Sequence, residues 1–308
     1  MNVANTIKKL GLEQAFDYLY KDPENNLLKL MNWADKFSDG EFVSQRKAIR
    51  EAIENSAHPY HDYILHIIHD IDPEVMKTLA VNFFINASLI GWSKQEENRA
   101  KYNCNVPWAI LLDPTSACNL HCTGCWAAEY GNKLNLTFDE IDSIIQQGKK
   151  LGVYMYIYTG GEPLTRKNDL IRLCEKHNDC VFLCFTNATL IDEKFADEML
   201  RVKNFIPAIS LEGDEVSTDS RRGQGTFKMM RNMWAAVLPE ASGICISMQM
   251  VLGIKTGKTR CMHRKSRTFY FVLGSCTSFS SVSICCFSFS IWEINSLLSA
   301  LFCSFGEQ

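Results

Sequence analysis

The chain has no surplus of charge of either sign: 32 Lys and Arg stand against 35 Asp and Glu, a formal net charge of -3 at pH 7. A protein that grips nucleic acid by its phosphates needs a basic face, so no nucleic-acid partner is expected. Residues 1–21 lack the charged-then-apolar pattern of a secretory leader and read as an amphipathic helix instead. Without that signal, the 13 cysteines are expected to stay reduced in a cytoplasmic setting rather than to pair. Exposed thiolates oxidise readily, which favours an anaerobic one. His58, His61, His66 and His69 lie close in sequence, but no cysteine lies among them. Ordinary surface and core histidines are the expectation.

What the chain does have is Cys118-Asn119-Leu120-His121-Cys122-Thr123-Gly124-Cys125, a C-x3-C-x2-C loop leaving a strand predicted over Ala109 to Asp113. Thiolates favour soft metals, so zinc and iron-sulfur clusters are the candidates. A structural zinc takes four protein ligands, commonly as separated pairs, and no second pair or nearby histidine pair follows Cys125. A cluster normally takes four cysteines, yet Cys118, Cys122 and Cys125 arrive together and Cys174 lies a strand and a helix away. The economical reading is a 4Fe-4S cluster with one iron left open to a reactant. A fourth ligand from Cys104 or Cys174 would close it and leave a metal-binding or electron-transfer module. A zinc knuckle or a chance cluster is the plainer alternative.

With 308 residues, 46% of them apolar, the chain can build one large core or two modest ones. Residues 1–105 read as helices: Ile7, Leu10, Phe16 and Leu19 share a face, and Leu27, Leu28, Leu30 and Met31 continue after the break at Asp22-Pro23. Further helices are predicted over Glu41 to Glu54, Tyr60 to Ile71 and Pro73 to Ile90. The functional alternative for this region is a lid or partner-binding cap over the mouth of the following domain.

From Val106 strands alternate with helices, the pattern of a parallel sheet with crossover helices. Strands are predicted over 109–113, 153–158, 181–185, 206–211 and 244–252. Thr137-x-x-Glu140 forms a capping box, after which Ile141, Ile144, Ile145, Gly148 and Leu151 line one helical face. The second strand ends in Thr159-Gly160-Gly161-Glu162-Pro163, where glycines let the backbone approach a partner closely and the proline fixes the turn. The third ends in Thr186-Asn187 and the fourth in Ser210-Leu211-Glu212-Gly213. Polar strand ends of this kind face one mouth in barrel enzymes. Arg221-Arg222-Gly223 leads to a helix with Thr226 as its cap, in which Met230 and Trp234 read as core.

The cysteine triplet after one strand and Gly160-Gly161-Glu162-Pro163 after the next resemble the radical SAM superfamily. The resemblance spans Val106 to Leu252 and implies an α/β fold, a partial (β/α) barrel behind an N-terminal helical region. It implies a 4Fe-4S cluster on Cys118, Cys122 and Cys125 whose open iron chelates S-adenosylmethionine. Gly160, Gly161, Glu162 and Pro163 would line the methionine end of that cofactor. Ser210 and Arg222 match places that contact it in the family, and Asn187 faces the same mouth. The reaction implied is reductive cleavage of S-adenosylmethionine followed by hydrogen abstraction from a substrate. An electron donor such as ferredoxin or flavodoxin is implied too, whereas a small-molecule, lipid or peptide substrate is not distinguished by these motifs. The run Trp126 to Gly131 resembles branches that include lipid-modifying enzymes. Where the family carries an aromatic residue before the third cysteine, this chain has Gly124, with Trp126 following.

After Gly253 the composition changes. A basic cluster, Lys255, Lys258, Arg260, Arg264, Lys265 and Arg267, precedes a run from Thr268 to Ile291 without a charge, rich in Ser, Phe and Cys. The helix and sixth strand expected of the family are not recognisable there. A membrane span with its basic flank inside is disfavoured by the serines. A divergent domain end is a second reading. A tail foreign to the fold, from a shifted reading frame or misjoined gene, best accounts for the abrupt change. It carries the alternative that the chain is a catalytically inactive fragment. The expected organisation is therefore 1–105 helical, 106–253 a partial barrel, and 254–308 an atypical tail.

Overall fold

The computed structural model describes residues 3–37, 43–58 and 60–237. The strand expected over 244–252 and the tail 254–308 lie outside the described residues. Helices α1 (Val3–Leu19), α2 (Pro23–Phe37), α3 (Val43–Glu54) and α4 (His61–Asp70) come first. Helix α5 (Pro73–Ala80) then runs through a π-helical stretch, Val81–Gly91, into α6 (Trp92–Tyr102). Asp72 starts this run by accepting from the Glu74 and Val75 amides at 2.9 Å each, with Pro73 at the first helical position. Ser88 Oγ donates to the Phe83 carbonyl five residues back at 2.9 Å, which suits the wider π spacing. The sequence pattern ends this element at Ile90, and α6 is missed because Ser93 to Lys101 carries no apolar stripe. From Pro73 to Tyr102 the run is long and apolar enough, by length and composition alone, to cross a membrane.

Four parallel strands come next, in the order β1-β2-β3-β4: β1 (Ala109–Thr115), β2 (Met155–Gly160), β3 (Val181–Thr186) and β4 (Phe205–Ile209). Helices α7 (Phe138–Leu151), α8 (Lys167–Lys176) and α9 (Glu193–Val202) connect them, and α10 (Glu215–Arg222) and α11 (Thr226–Val237) complete the described chain. β2 and β3 are apolar at nearly every position, as strands covered on both faces must be. The face toward α7, α8 and α9 holds Leu112, Tyr156, Tyr158, Phe182 and Cys184. Tyr158 stacks on Phe182 with ring centroids 5.5 Å apart, and Gly148 of α7 leaves room for the Tyr156 hydroxyl, which donates to the Ile145 carbonyl at 3.0 Å. Each such side chain, fully buried, contributes about 1.5–3 kcal/mol. The expected capping box is present: Thr137 N donates to Glu140 Oε2 at 2.7 Å and Glu140 N to Thr137 Oγ1 at 3.2 Å.

The opposite face carries Met155, Ile157, Val181, Leu183 and Ala208, and Leu79 and Phe83 of the N-terminal helices pack against it. Asn82 Nδ2 donates to the carbonyls of Asn178 (2.7 Å) and Cys180 (3.0 Å), just before β3. Gln95 Nε2 donates to the Gly152 carbonyl at 2.8 Å, just before β2. Gly91 and Gly152 meet so closely that a Cβ on either would lie about 2.5 Å from the other's carbonyl oxygen. The hydrogen bonds and the glycine contact are all at the strands' N-terminal ends. The run from Pro73 to Tyr102 therefore packs at the floor of the sheet, away from the strand ends that carry the cysteine loop. The reason is a set of long-range pairings: Asn82, Asn86 and Gln95 supply side-chain donors to backbone carbonyls just before β2 and β3.

Candidate functional site

The segments leaving the C-terminal ends of the strands build the mouth. β1 runs two residues further than its apolar run suggests, reaching Thr115, with an irregularity between Leu112 and Thr115 where Pro114 has no amide to pair. Residues 134–136 return along it: Ser116 N donates to the Leu134 carbonyl at 2.8 Å and Leu136 N to the Pro114 carbonyl at 3.1 Å. Arg166 Nη1 bonds both the Pro114 and the Leu136 carbonyls. The cysteine loop is thus an excursion pinned at both ends.

Within it, Cys118, Cys122 and Cys125 are half-buried and free. Leu120 N donates to Cys118 Sγ at 3.4 Å, Cys125 N to the Cys122 carbonyl at 3.2 Å, and Thr123 N to the Arg221 carbonyl at 2.7 Å. Burial pushes the Cys118 thiol up, and the Leu120 amide opposes it. Burial also pushes the Cys122 thiol up, against the pull of Arg222 and Arg221. Each of these thiols also feels the charge of Cys125, yet among the described residues no three His, Cys, Asp or Glu side chains gather around one ion position. Gly124, at the place where the resemblance calls for an aromatic, has φ 69° with open space around it, a left-handed conformation that a bulky side chain adopts only under strain. Trp126, on the other side of the third cysteine, is exposed and meets Tyr130 edge-on at 5.9 Å.

The second strand's end locks onto this loop. Gly161 N donates to the Thr115 carbonyl at 3.0 Å and Glu162 N to the Ala117 carbonyl at 2.8 Å. A Cβ on Gly161 would lie 2.3 Å from the Ala117 oxygen. The close approach expected of the glycine pair is therefore, first, an approach to the chain's own cysteine loop. Pro163 is buried and begins a short 3-10 turn to Arg166. The Glu162 carboxylate, 1% exposed, accepts from Leu164 N (3.0 Å), Thr186 Oγ1 (2.7 Å) and Asn187 N (2.8 Å). Burial drives its pKa up and these three donors oppose the rise.

Asn187 follows β3 and donates to Asn119 Oδ1 at 2.9 Å, while Asn119 Nδ2 donates to Thr189 Oγ1 at 2.8 Å. Ser210 follows β4, half-buried, its amide donating to the Thr186 carbonyl at 2.9 Å. Arg222 ends α10, an element the sequence pattern misses, and its guanidinium is paired with Glu212. Asp219 is also missed: it accepts from Gly225 N (2.7 Å) and Phe227 N (2.8 Å), and so caps α11 in place of Thr226, whose hydroxyl donates backward to the Arg222 carbonyl at 3.4 Å. An acidic residue seven positions before the helix at Thr226 was the available signal. The fourth ligands of the closed-cluster alternative, Cys104 and Cys174, are elsewhere. Cys104 precedes β1, so about 20 Å of strand separates it from Cys118, and Cys174 is fully buried between the sheet and the helices. Of the histidines with described side chains, His58 Nδ1 accepts from Tyr60 N and His61 Nδ1 bonds the Ala52 carbonyl; the side chain of His66 lies outside the described residues. Met230 is in the core as expected; the Trp234 side chain also lies outside.

A family model, the radical SAM superfamily, matches residues 112–237, the stretch that carries every element of this mouth. These residues are a radical SAM domain. Members of this superfamily use a 4Fe-4S cluster and S-adenosylmethionine. Among curated proteins, the chain is 30% identical over 138 residues to an uncharacterized protein of Archaeoglobus fulgidus, covering 43% of this chain and 32% of that one. It is 30% identical over 125 residues to the Fe-coproporphyrin III synthase of Methanosarcina barkeri (38% and 31% covered). It is 31% identical over 101 residues to the GTP 3',8-cyclase of Clostridium perfringens (30% and 31%). The chain thus spans about a third of these relatives' length. Among solved structures, Streptococcus suis SuiB bound to its precursor peptide SuiA matches at 23% identity and a TM-score of 0.39, covering 46% of this chain and 34% of SuiB. The radical SAM core is the expected α/β partial barrel.

Proposed function

We propose that this chain is a radical S-adenosylmethionine enzyme, with Cys118, Cys122 and Cys125 holding the cluster. Gly160, Gly161, Glu162, Pro163, Asn187, Ser210 and Arg222 would receive the S-adenosylmethionine. The observation that carries the reading is the convergence of the cysteine loop, Gly160 to Pro163, Asn187, Ser210 and Arg222 on the C-terminal edge of one parallel sheet, where α/β barrels hold their reactants. The donor set fits the cofactor. Three half-buried, free cysteines on one short loop offer the soft thiolate donors that iron-sulfur clusters take.

A cluster held by Cys118, Cys122 and Cys125 would supply one electron to S-adenosylmethionine bound beside it, and that reductive cleavage would furnish the group that abstracts hydrogen from the substrate. The chain's own residues bind and orient. The Leu120 amide points at a ligand sulfur, the Gly161 and Glu162 amides fasten the loop to β2, and the Glu162 carboxylate fixes the end of β3. The expected partners are an electron donor of the ferredoxin or flavodoxin type and a small-molecule, lipid or peptide substrate, in a cytoplasmic setting. The test is formation of 5'-deoxyadenosine by the anaerobically reconstituted protein given S-adenosylmethionine and a strong reductant. Product from the wild type and none from Cys122→Ala supports the reading; none from an iron-replete wild type overturns it.

A further inference from the structure

Glu212 follows β4 and its carboxylate, 6% exposed, holds two arginines at once. Arg221 Nη1 donates to Oε1 at 2.5 Å, Arg222 Nε to Oε2 at 2.5 Å and Arg222 Nη2 to Oε1 at 2.7 Å. The Arg222 side chain is 12% exposed. The same helix end receives the cysteine loop, since the Arg221 carbonyl accepts from Thr123 N at 2.7 Å, between Cys122 and Cys125. Two guanidinium groups against one carboxylate leave the clamp itself with one net positive charge. A buried pair of this kind is held rigidly, because a charge that loses its partner there is costly.

We infer that Glu212 is a positioning residue that clamps Arg221 and Arg222 onto the cysteine loop, so that Arg222 stands as a fixed positive charge at the edge of the cluster. The clamp would order the loop before a cluster is loaded and ease the cluster's one-electron reduction afterwards, because a nearby cation stabilises the added negative charge. The inference rests on the cluster assignment proposed above, and its two readouts separate the two ideas.

The first readout uses the apoprotein: amide exchange at Thr123, followed by NMR. Glu212→Gln is expected to speed exchange there roughly fivefold, the loss of about one hydrogen bond's worth of protection, while amides of β2 and β3 keep theirs. The second is the midpoint potential of the reconstituted cluster without S-adenosylmethionine. Arg222→Gln is expected to shift it to a more negative value, and Glu175→Gln, which breaks an exposed pair with Arg201, to leave it in place. An unchanged potential in Arg222→Gln overturns the inference, as does unchanged Thr123 exchange in Glu212→Gln. Should Glu212→Gln fail to fold, the Arg222→Gln potential decides. A wild type that takes up no iron defeats the cluster assignment instead, and the exchange at Thr123 still judges the clamp.

Discussion

Glu162 and Thr186 join the ends of two neighbouring strands through a 2.7 Å hydrogen bond that is wholly buried. Glu162 Oε1 takes both Thr186 Oγ1 and Leu164 N, and Oε2 takes Asn187 N. Glu162→Ala would strand these three donors, at about 1 kcal/mol each, and should lower apoprotein stability by about 3 kcal/mol in chemical denaturation. Glu162→Gln, with its oxygen in the Oε1 place, keeps two of the three bonds. It also resembles the protonated acid that burial favours, so the loss should stay near 1 kcal/mol, about one hydrogen bond. Equal losses for the two variants would show that the carboxylate's charge, not its hydrogen bonding, joins the strands.

Gly161 and Gly213 separate crowding from conformation. A Cβ at Gly161 meets the Ala117 and Ser116 carbonyl oxygens at 2.3 and 2.5 Å, so Gly161→Ala must push the cysteine loop away from β2. Iron bound after reconstitution should fall severalfold. At Gly213 nothing lies within 4 Å, but φ is +101°, so Gly213→Ala should cost about 1–2 kcal/mol of stability with iron uptake preserved. Equal iron uptake in Gly161→Ala and wild type would mean that the loop's seat on β2 is not what shapes it.

How much of the fold and site is legible in the sequence depends on the range of each interaction. The capping box at Thr137 and Glu140 is local, and both its bonds are present. The strands are readable because both faces are covered, so their apolar runs are continuous. The cysteine spacing and Gly160 to Pro163 are contiguous in sequence, and the structure brings the two stretches together. Pairing at a distance is not legible. Asn119 meeting Asn187, 68 residues apart, leaves no periodic trace. Helix α10 is short and almost wholly polar, EVSTDSRR, so no apolar stripe announces it. The place of residues 73–102 under the barrel depends on Asn82 and Gln95 reaching carbonyls of other elements, which composition does not reveal.

Asp142 and His177 give the apoprotein an acid limit. His177 Nε2 and Asp142 Oδ1 lie 2.8 Å apart and are buried, with Lys176 Nζ on the other carboxylate oxygen at 2.9 Å. Burial holds the His177 pKa below its ordinary 6.5, against the pull of Asp142. Burial would raise the Asp142 carboxyl, but hydrogen bonds from Lys176, His177 and Gln146 hold it below 3.8. As the pH falls through 6.5 the unfolded imidazole binds a proton that the folded one refuses, so stability declines from there down to the folded value. The Asp142 contribution is present above 3.8 and is lost as the pH drops through its folded value. Asp142→Asn removes the second loss and, by taking away the anion that raises His177, extends the first to lower pH. Urea midpoints between about pH 8 and pH 3 test this; a wild-type midpoint that does not move between about pH 7.5 and pH 5 would refute the His177 part.

Cys104 and Cys174 decide whether the cluster has an open iron. Cys104 is exposed at the far end of β1 from Cys118, and Cys174 lies in the core with its thiol driven well up by burial. Neither can join Cys118, Cys122 and Cys125 without a large rearrangement of the sheet. Cys104→Ala should therefore match wild type in both stability and iron content. Cys174→Ala should lose about 1–2 kcal/mol through the small cavity it opens and still bind a full iron complement. Cys118→Ala, Cys122→Ala and Cys125→Ala should each lose most of the iron. If Cys174→Ala lost its iron while keeping its fold, a closed cluster would replace the open one, and with it the S-adenosylmethionine site would have no iron to bind.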